Sequence, residues 1–221
     1  MNLPIRTWSY SGLSDYEKCP LLFYGRRVEK RPEPPSKALE KGKAAHSAIE
    51  SYLKGETDEV PKVGAKVSWL LEPLRAAGQG FSVEEKFALT ANWRMTGFFD
   101  SDAWVRGVYD VQCFYGDDEQ EIIDWKTGRA YPEHADSARL YAMTAMSRYT
   151  AVQSVKVRYV YLETGEQKEW VVERHNVERM QDYWRARVTP MMTATEFMPT
   201  PGDHCRYCPF SNKKGGPCPA G

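Results

Sequence analysis

No stretch of this sequence approaches the ~18 consecutive apolar residues of a membrane-spanning helix, so a helical membrane protein is excluded. The opening MNLPIRTWSYSG lacks the apolar centre of a signal peptide. The expectation is a protein kept in the cytoplasm, with no membrane partner. Neither sign of charge dominates, since 30 Lys and Arg balance 30 Asp and Glu. That balance argues against a basic protein that coats nucleic acid indiscriminately, although a local basic groove stays compatible with it. There is no internal repeat and no low-complexity tract. Collagen-like, coiled-coil and wholly disordered chains are excluded on composition. Cysteine is sparse, at five residues. In a cytoplasmic chain these are metal ligands or buried thiols sooner than disulfides.

What is present is ordinary globular material. The chain has 221 residues, 42% of them hydrophobic and 27% charged. Such a length buries roughly 70% of its unfolded surface without staples. The reading is one domain over 1–221, in three parts: a helical region over 1–80, a core over 81–195 and a tail over 196–221.

Residues 9–24 read as a short helix broken near Pro20, and the basic, proline-rich 25–37 as an exposed connector. Residues 38–53 carry a helical apolar stripe, with His46 at its edge. Residues 63–77 are helical again, with Pro73 kinking or restarting the helix. Strands follow at 81–89, 103–115 and 120–126, then a helix over 134–149. A hairpin over 153–162 and 167–173 turns at Thr164-Gly165, and a last helix covers 176–194. In the first strand, Glu85 shares a face with Phe81, Val83, Phe87 and Leu89. A carboxylate there is costly unless paired or bound to metal.

Two constellations carry chemistry. In Ile122-Ile-Asp-Trp-Lys126, a strand places Asp124 and Lys126 on one face. A carboxylate holds a hard divalent cation through oxygen, and a neighbouring ammonium orients water and offsets phosphate charge. Asp110, on the preceding strand, comes beside Asp124 if the two strands form a hairpin. Glu85 and His46 are candidates to complete the shell. An isolated Asp-x-Lys is common on solvated faces, but the apolar neighbours Ile122, Ile123 and Trp125 place this one in a buried strand.

The second constellation is Cys205-Arg-Tyr-Cys208 with Cys218. Two thiolates at this spacing can bind one metal. The fourth ligand comes from Cys19, Cys113 or His204. Zinc and a 4Fe–4S cluster both suit a four-cysteine set, and spacing does not separate them.

Several motifs in order resemble the RecB-type iron–sulfur branch of the PD-(D/E)xK nuclease superfamily, typified by the CRISPR adaptation nuclease and the AddB nuclease domain. They are SYSGLSDYEKCPLLFY at the start, Gly42-Lys-Ala-Ala-His46, Gly107-Val-Tyr-Asp110, Ile123-Asp-Trp-Lys-Thr-Gly128 and Leu140-Tyr141-Ala142, with three cysteines at the end. The resemblance implies an α/β, restriction-endonuclease-like fold with a central mixed sheet flanked by helices, an N-terminal helical region and a C-terminal cysteine clasp. It implies that His46, Asp110, Asp124 and the Trp125 carbonyl bind Mg2+ or Mn2+. Glu85 matches a less specific acidic position of the family. Lys126 would act on the water and Tyr141 on the DNA backbone. Cys19, Cys205, Cys208 and Cys218 would hold a 4Fe–4S cluster, with Zn2+ as the alternative.

The implied activity is metal-dependent DNA hydrolysis, as an exonuclease on single-stranded DNA ends in recombination, repair or phage DNA processing. The alternative is a silent DNA-binding or adaptor protein of the same fold with a structural metal cluster. The sequence departs from the pattern at Ser137, where the family has glutamine. DNA contacts are sought in Arg26, Arg27, Lys30 and Arg31, and in Arg139 and Arg148. Trp8, Tyr10 and Tyr16 have rings able to stack on bases, beside a more ordinary role in packing.

Overall fold

Serine hydroxyls set two helix starts. Ser9 caps α1 (Tyr10–Lys18) by accepting from Gly12 N at 3.2 Å, and Ser36 caps α3 (Lys37–Lys54) by accepting from Leu39 N. Each satisfies a backbone donor that the first turn leaves free. The computed structural model describes residues 5–220. Residues 1–4 and 221, which the sequence reading assigned to the helical region and the tail, lie outside the described residues. Between α1 and α3, Cys19 is extended, and α2 (Pro20–Phe23) restarts with proline in its first turn and runs into a π-helical turn at Tyr24–Val28. The exposed connector is therefore shorter than expected. Pro20 opens a helix as well as ending one, and Gly25 lets the Phe210 ring pack on this turn: a Cβ there would stand 2.7 Å from it.

The segment read as one helix over 63–77 is a 3-10 turn (Lys62–Val67) followed by α4 (Ser68–Ala77), which keeps Pro73 inside. The strands are β1 (Phe81–Leu89), β2 (Val105–Tyr115), β3 (Glu119–Lys126), β4 (Ser154–Tyr161) and β5 (Gln167–Glu173). They form one sheet in the order β1-β2-β3-β4-β5. All neighbours are antiparallel except β3 and β4, which are parallel. A parallel pair needs a crossover, and α5 (His134–Arg148) supplies it. The last helix is α6 (Val177–Thr193). This is the expected α/β fold, a mixed sheet flanked by helices. Among the described residues no helix is long and apolar enough to cross a membrane.

The sheet separates two apolar cores. One joins Ile122, Val155, Val157 and Tyr159 to Leu140 and Met143 of α5 and Trp184 of α6. The other joins Ile123, Trp125 and Val160 to Ile49 and Tyr52 of α3 and Leu71 of α4. Alternation along β3 and β4 follows the pleat. Along β1 and β2 it does not. Phe81, Val83, Val111 and Cys113 face the α3–α4 core, whereas Phe87, Leu89, Val105 and Tyr109 face the other. All eight are odd-numbered. The change of face falls between Val83 and Glu85, where Glu84 has a left-handed φ of 54° and drops out of the pairing. Left-handed backbone is uncommon for a side chain larger than asparagine. Here it turns the Glu84 carboxylate toward α3.

Candidate metal centre and catalytic cleft

The β2–β3 ladder ends at Val111–Ile123. The Asp110 side chain takes the next position, its Oδ2 accepting from Trp125 N at 2.7 Å. A strand residue directs its N–H and C=O to the same edge, so the Trp125 carbonyl also faces this gap. The strands thus part where Asp110 and Asp124 stand. Gly107 makes room on the β1 side for the Phe87 ring, which a Cβ there would meet at 2.4 Å. That ring stacks on Tyr109 at 4.5 Å and lines the same cleft as the acids.

The gap opens into a cleft of about 910 Å³, lined by His46, Asp110, Asp124, Lys126, His134 and Tyr141 among others. His46 Nδ1 of α3 lies 3.3 Å from Asp110 Oδ1, and Lys126 Nζ lies 2.5 Å from Asp124 Oδ2. Despite that closeness, Asp124 Oδ2 is buried without an aligned hydrogen bond. The ammonium also sits over the Tyr159 ring, 4.4 Å from its centroid.

Burial raises the Asp124 carboxyl from its ordinary 3.8 to about 6; Lys126 opposes the rise and the Asp110 charge adds to it. For His46, burial works downward, but the hydrogen bond and charge of Asp110, helped by Asp124, prevail and bring the imidazole up to about 8. Burial, then the Asp124 and Asp110 charges, hold the Tyr141 phenol well above its ordinary value. Negative charge is concentrated here beyond what Lys126 offsets.

Donor atoms of His46, Glu84 and Asp110 all lie within 4.8 Å of one another, a group able to hold a metal ion. An imidazole with carboxylate oxygens suits Mg2+ or Mn2+ better than a soft cation.

The reading of Glu85 is corrected. Its carboxylate is held 2.6 Å from the buried Arg148 guanidinium, and Glu84 takes the place beside His46 and Asp110. Strand parity misses this because one left-handed residue reverses the faces. The arginine clusters also have other work: Arg26 pairs with Asp15 and Glu33, Arg27 with Asp15, Arg31 with Glu29, and Arg139 with Asp136. Arg139 is exposed and does not line the cleft. Trp8 is buried against Trp184, and Tyr16 packs on Phe23 and Phe197, so both rings are packing elements. Tyr10 lines the cleft and donates to the Glu133 carbonyl at 2.8 Å.

Ser137, which stands where the family has glutamine, accepts from Tyr159 OH at 2.7 Å. One cleft residue went unnoticed in the sequence. His134 places Nδ1 2.9 Å from Tyr161 OH, and burial and the Lys126 charge lower its pKa. A lone histidine opening a helix has no spacing signal.

A family model described as the PD-(D/E)XK nuclease superfamily matches residues 7–212. The chain belongs to this superfamily. In the pattern of its name, Asp124-Trp125-Lys126 fits (D/E)XK, while Tyr109 stands before Asp110 where the pattern has proline. Superfamily membership implies a phosphodiester-cleaving nuclease, and nucleases of this superfamily usually use Mg2+ or Mn2+. No curated protein matches the chain. Nineteen solved chains do. One, "Crystal structure of SSO0001", is 16% identical over 98% of this chain and 87% of that chain, with a TM-score of 0.47. A likeness that distant adds nothing to the family assignment.

At the far end of α1, Cys19, Cys205, Cys208 and Cys218 line one small apolar cavity. All are free thiols. Thr200 N lies 3.4 Å from Cys19 Sγ, and Gly202 N lies 3.4 Å from Cys205 Sγ. Burial raises the Cys208 thiol, with the charges of Cys218, Cys19 and Cys205 contributing. His204 also lines the cavity. Cys113 is elsewhere, packed in the α3–α4 core, its thiol pushed up to about 12 by burial and then by Glu121.

Proposed function

We propose that this protein is a Mg2+- or Mn2+-dependent deoxyribonuclease acting in the cytoplasm as an exonuclease on single-stranded DNA ends. The observation that carries the catalytic part is the parting of β2 and β3 at Asp110, which opens a cleft onto Asp110, Asp124, Lys126 and His46, with Glu84 beside His46 and Asp110 in the adjoining pocket. Single-strand and exonuclease preference rest on the motif resemblance to the RecB-type branch. In this reading Asp110, Asp124, His46, Glu84 and the Trp125 carbonyl hold the cation. When bound, it supplies Lewis-acid stabilisation of the developing phosphate charge. Lys126 orients the attacking water and offsets charge on the phosphate. Tyr159 beneath the ammonium keeps it over the cleft, and Tyr141 positions the strand.

The tail over 196–221 acts as a clasp, with Cys19, Cys205, Cys208 and Cys218 around a 4Fe–4S cluster. The cluster is preferred over zinc on the motif resemblance to the iron–sulfur branch, since four cysteines suit either.

The test is cleavage of end-labelled single-stranded and duplex DNA with Mg2+ or Mn2+ by anaerobically purified protein, beside Lys126→Ala. Cleavage by the parent alone is expected, with a product ladder stepping from one end. A folded, metal-loaded parent that cuts no DNA would leave the silent DNA-binding reading in its place. Iron and sulfide analysis of the same preparation tests the clasp, and one zinc per chain with no iron would overturn the cluster.

A further inference from the structure

The loop between β1 and β2, residues 90–104, does not behave as slack chain. Trp93 is buried at a φ of 59° and packs edge-on against Trp104. Asp100 Oδ2 accepts from Gly97 N at 2.8 Å and from Thr96 Oγ1 at 3.2 Å, while Thr96 Oγ1 also reaches Asp102 Oδ1 at 2.6 Å. Arg106 holds the Asp100 carbonyl at 3.2 Å. This pinned loop carries two adjacent aromatics outward. Phe98 lines the catalytic cleft, and Phe99 is 82% exposed, edge-on to Phe98 at 5.1 Å. Holding a large apolar ring in water on an ordered loop is unfavourable, so the arrangement calls for an occupant.

Charge says which. Lys86 Nζ and Arg106 Cζ lie 5.8 and 5.5 Å from the Phe98 centroid. Arg26, Arg27, Arg31, Arg139, Arg148 and Arg187 are all in ion pairs. Among the described residues, Lys86 and Arg106 have no carboxylate within 4 Å, and Arg106 lines the same cleft as the acids. Two cations without a carboxylate partner, around one exposed and one half-buried phenylalanine continuous with the candidate cleft, match single-stranded nucleic acid. Bases stack on rings, and the backbone runs along the cations.

We infer that Phe98 and Phe99, flanked by Lys86 and Arg106, form a platform on which an unpaired base of the DNA strand stacks while its backbone lies in the cleft. The inference rests on the nuclease reading and adds to it the residues that select unpaired strands. Duplex DNA keeps its bases stacked on each other and gains nothing from such a platform.

The test uses the full protein in a Lys126→Ala background, so that the strand survives. Fluorescence anisotropy compares a short thymidine strand, the same strand with one abasic position moved along it, and a blunt duplex. Phe98→Ala/Phe99→Ala is expected to weaken binding of the thymidine strand about tenfold or more and to leave duplex binding unchanged. One abasic position should weaken binding to the unsubstituted platform by a similar factor and have no effect on the variant. Phe99→Ala alone, at an exposed site, guards against misfolding. Circular dichroism and the thermal midpoint of both variants report whether the fold is kept. A platform variant that binds the thymidine strand as tightly as its background, or is penalised equally by the abasic position, would overturn the platform while parental DNA cleavage keeps the nuclease reading. A parent that neither binds nor cuts DNA overturns both.

Discussion

The carboxylate cleft and the cysteine clasp are two candidate metal sites made by opposite means. The cleft is set by strand register. Asp110 and Asp124 stand on neighbouring strands of one sheet, with a core on either face. The clasp joins residues far apart in the chain, on a helix end, a 3-10 turn, the loop after it and an isolated bridge from Ser211 to Cys218, around a small core of Cys19, Leu22 and Phe210. A rigid sheet tolerates concentrated charge because its packing does not depend on it. The clasp has little packing besides its ligands, so its cysteines answer for local folding. Chemistry and stability should therefore separate between the two.

The largest effect expected is on catalysis alone. Lys126→Ala should reduce DNA cleavage by on the order of 10³-fold and leave the thermal midpoint within a few degrees of the parent, read by gel assay and circular dichroism on one preparation. Cys218→Ser should do the reverse. It should abolish the cluster's colour and lower the midpoint by roughly 5–15 °C. If instead the cleft variant unfolds and the clasp variant is stable, the contrast is broken.

A smaller effect distinguishes neighbouring acids. Glu84→Gln should weaken Mn2+ binding several-fold by calorimetry at little cost in stability. Glu85→Gln should leave Mn2+ binding alone and destabilise the protein by about 1–2 kcal/mol, because it strips a half-exposed partner from the buried Arg148 guanidinium. Equal Mn2+ affinities in the two variants would remove Glu84 from the metal site.

The smallest effect is one of pH. The Asp124 carboxyl is raised from 3.8 to about 6, so the metal-free folded state holds this proton more tightly than the unfolded chain. Asp124 then favours folding below pH 4, and that contribution is lost as pH rises to 6. Melting in a chelator should show Asp124→Asn gaining on the parent across this window and remaining more stable above it. Added Mg2+ should narrow the gap by stabilising only the parent. A gap that widens toward low pH would reverse the sign and refute the argument.

Much of this was legible in the sequence. Period-two alternation located β1 and β3, and Ile122-Ile-Asp-Trp-Lys126 announced a charged pair inside an apolar strand. The change of face at Glu84 was not legible, because a left-handed backbone at a glutamate has no local sequence signal. Nor was the fate of the arginines. Arg26 and Arg31 look like a basic patch until folding brings Asp15, Glu29 and Glu33 against them. His134 and Ser137 meet Tyr161 and Tyr159 only through the parallel crossover, a contact that no window of the chain contains.

The Phe210 ring lodged on Gly25, beside Cys19, has a mechanical consequence. It ties the chain just after α1 to the chain just before Cys218, so nearly the whole sheet lies inside a closed ring. Tension on the carboxyl end meets this contact before it reaches the sheet, whereas tension on the amino end is felt at β2 directly, because Trp8 hydrogen-bonds to Trp104 and Arg106.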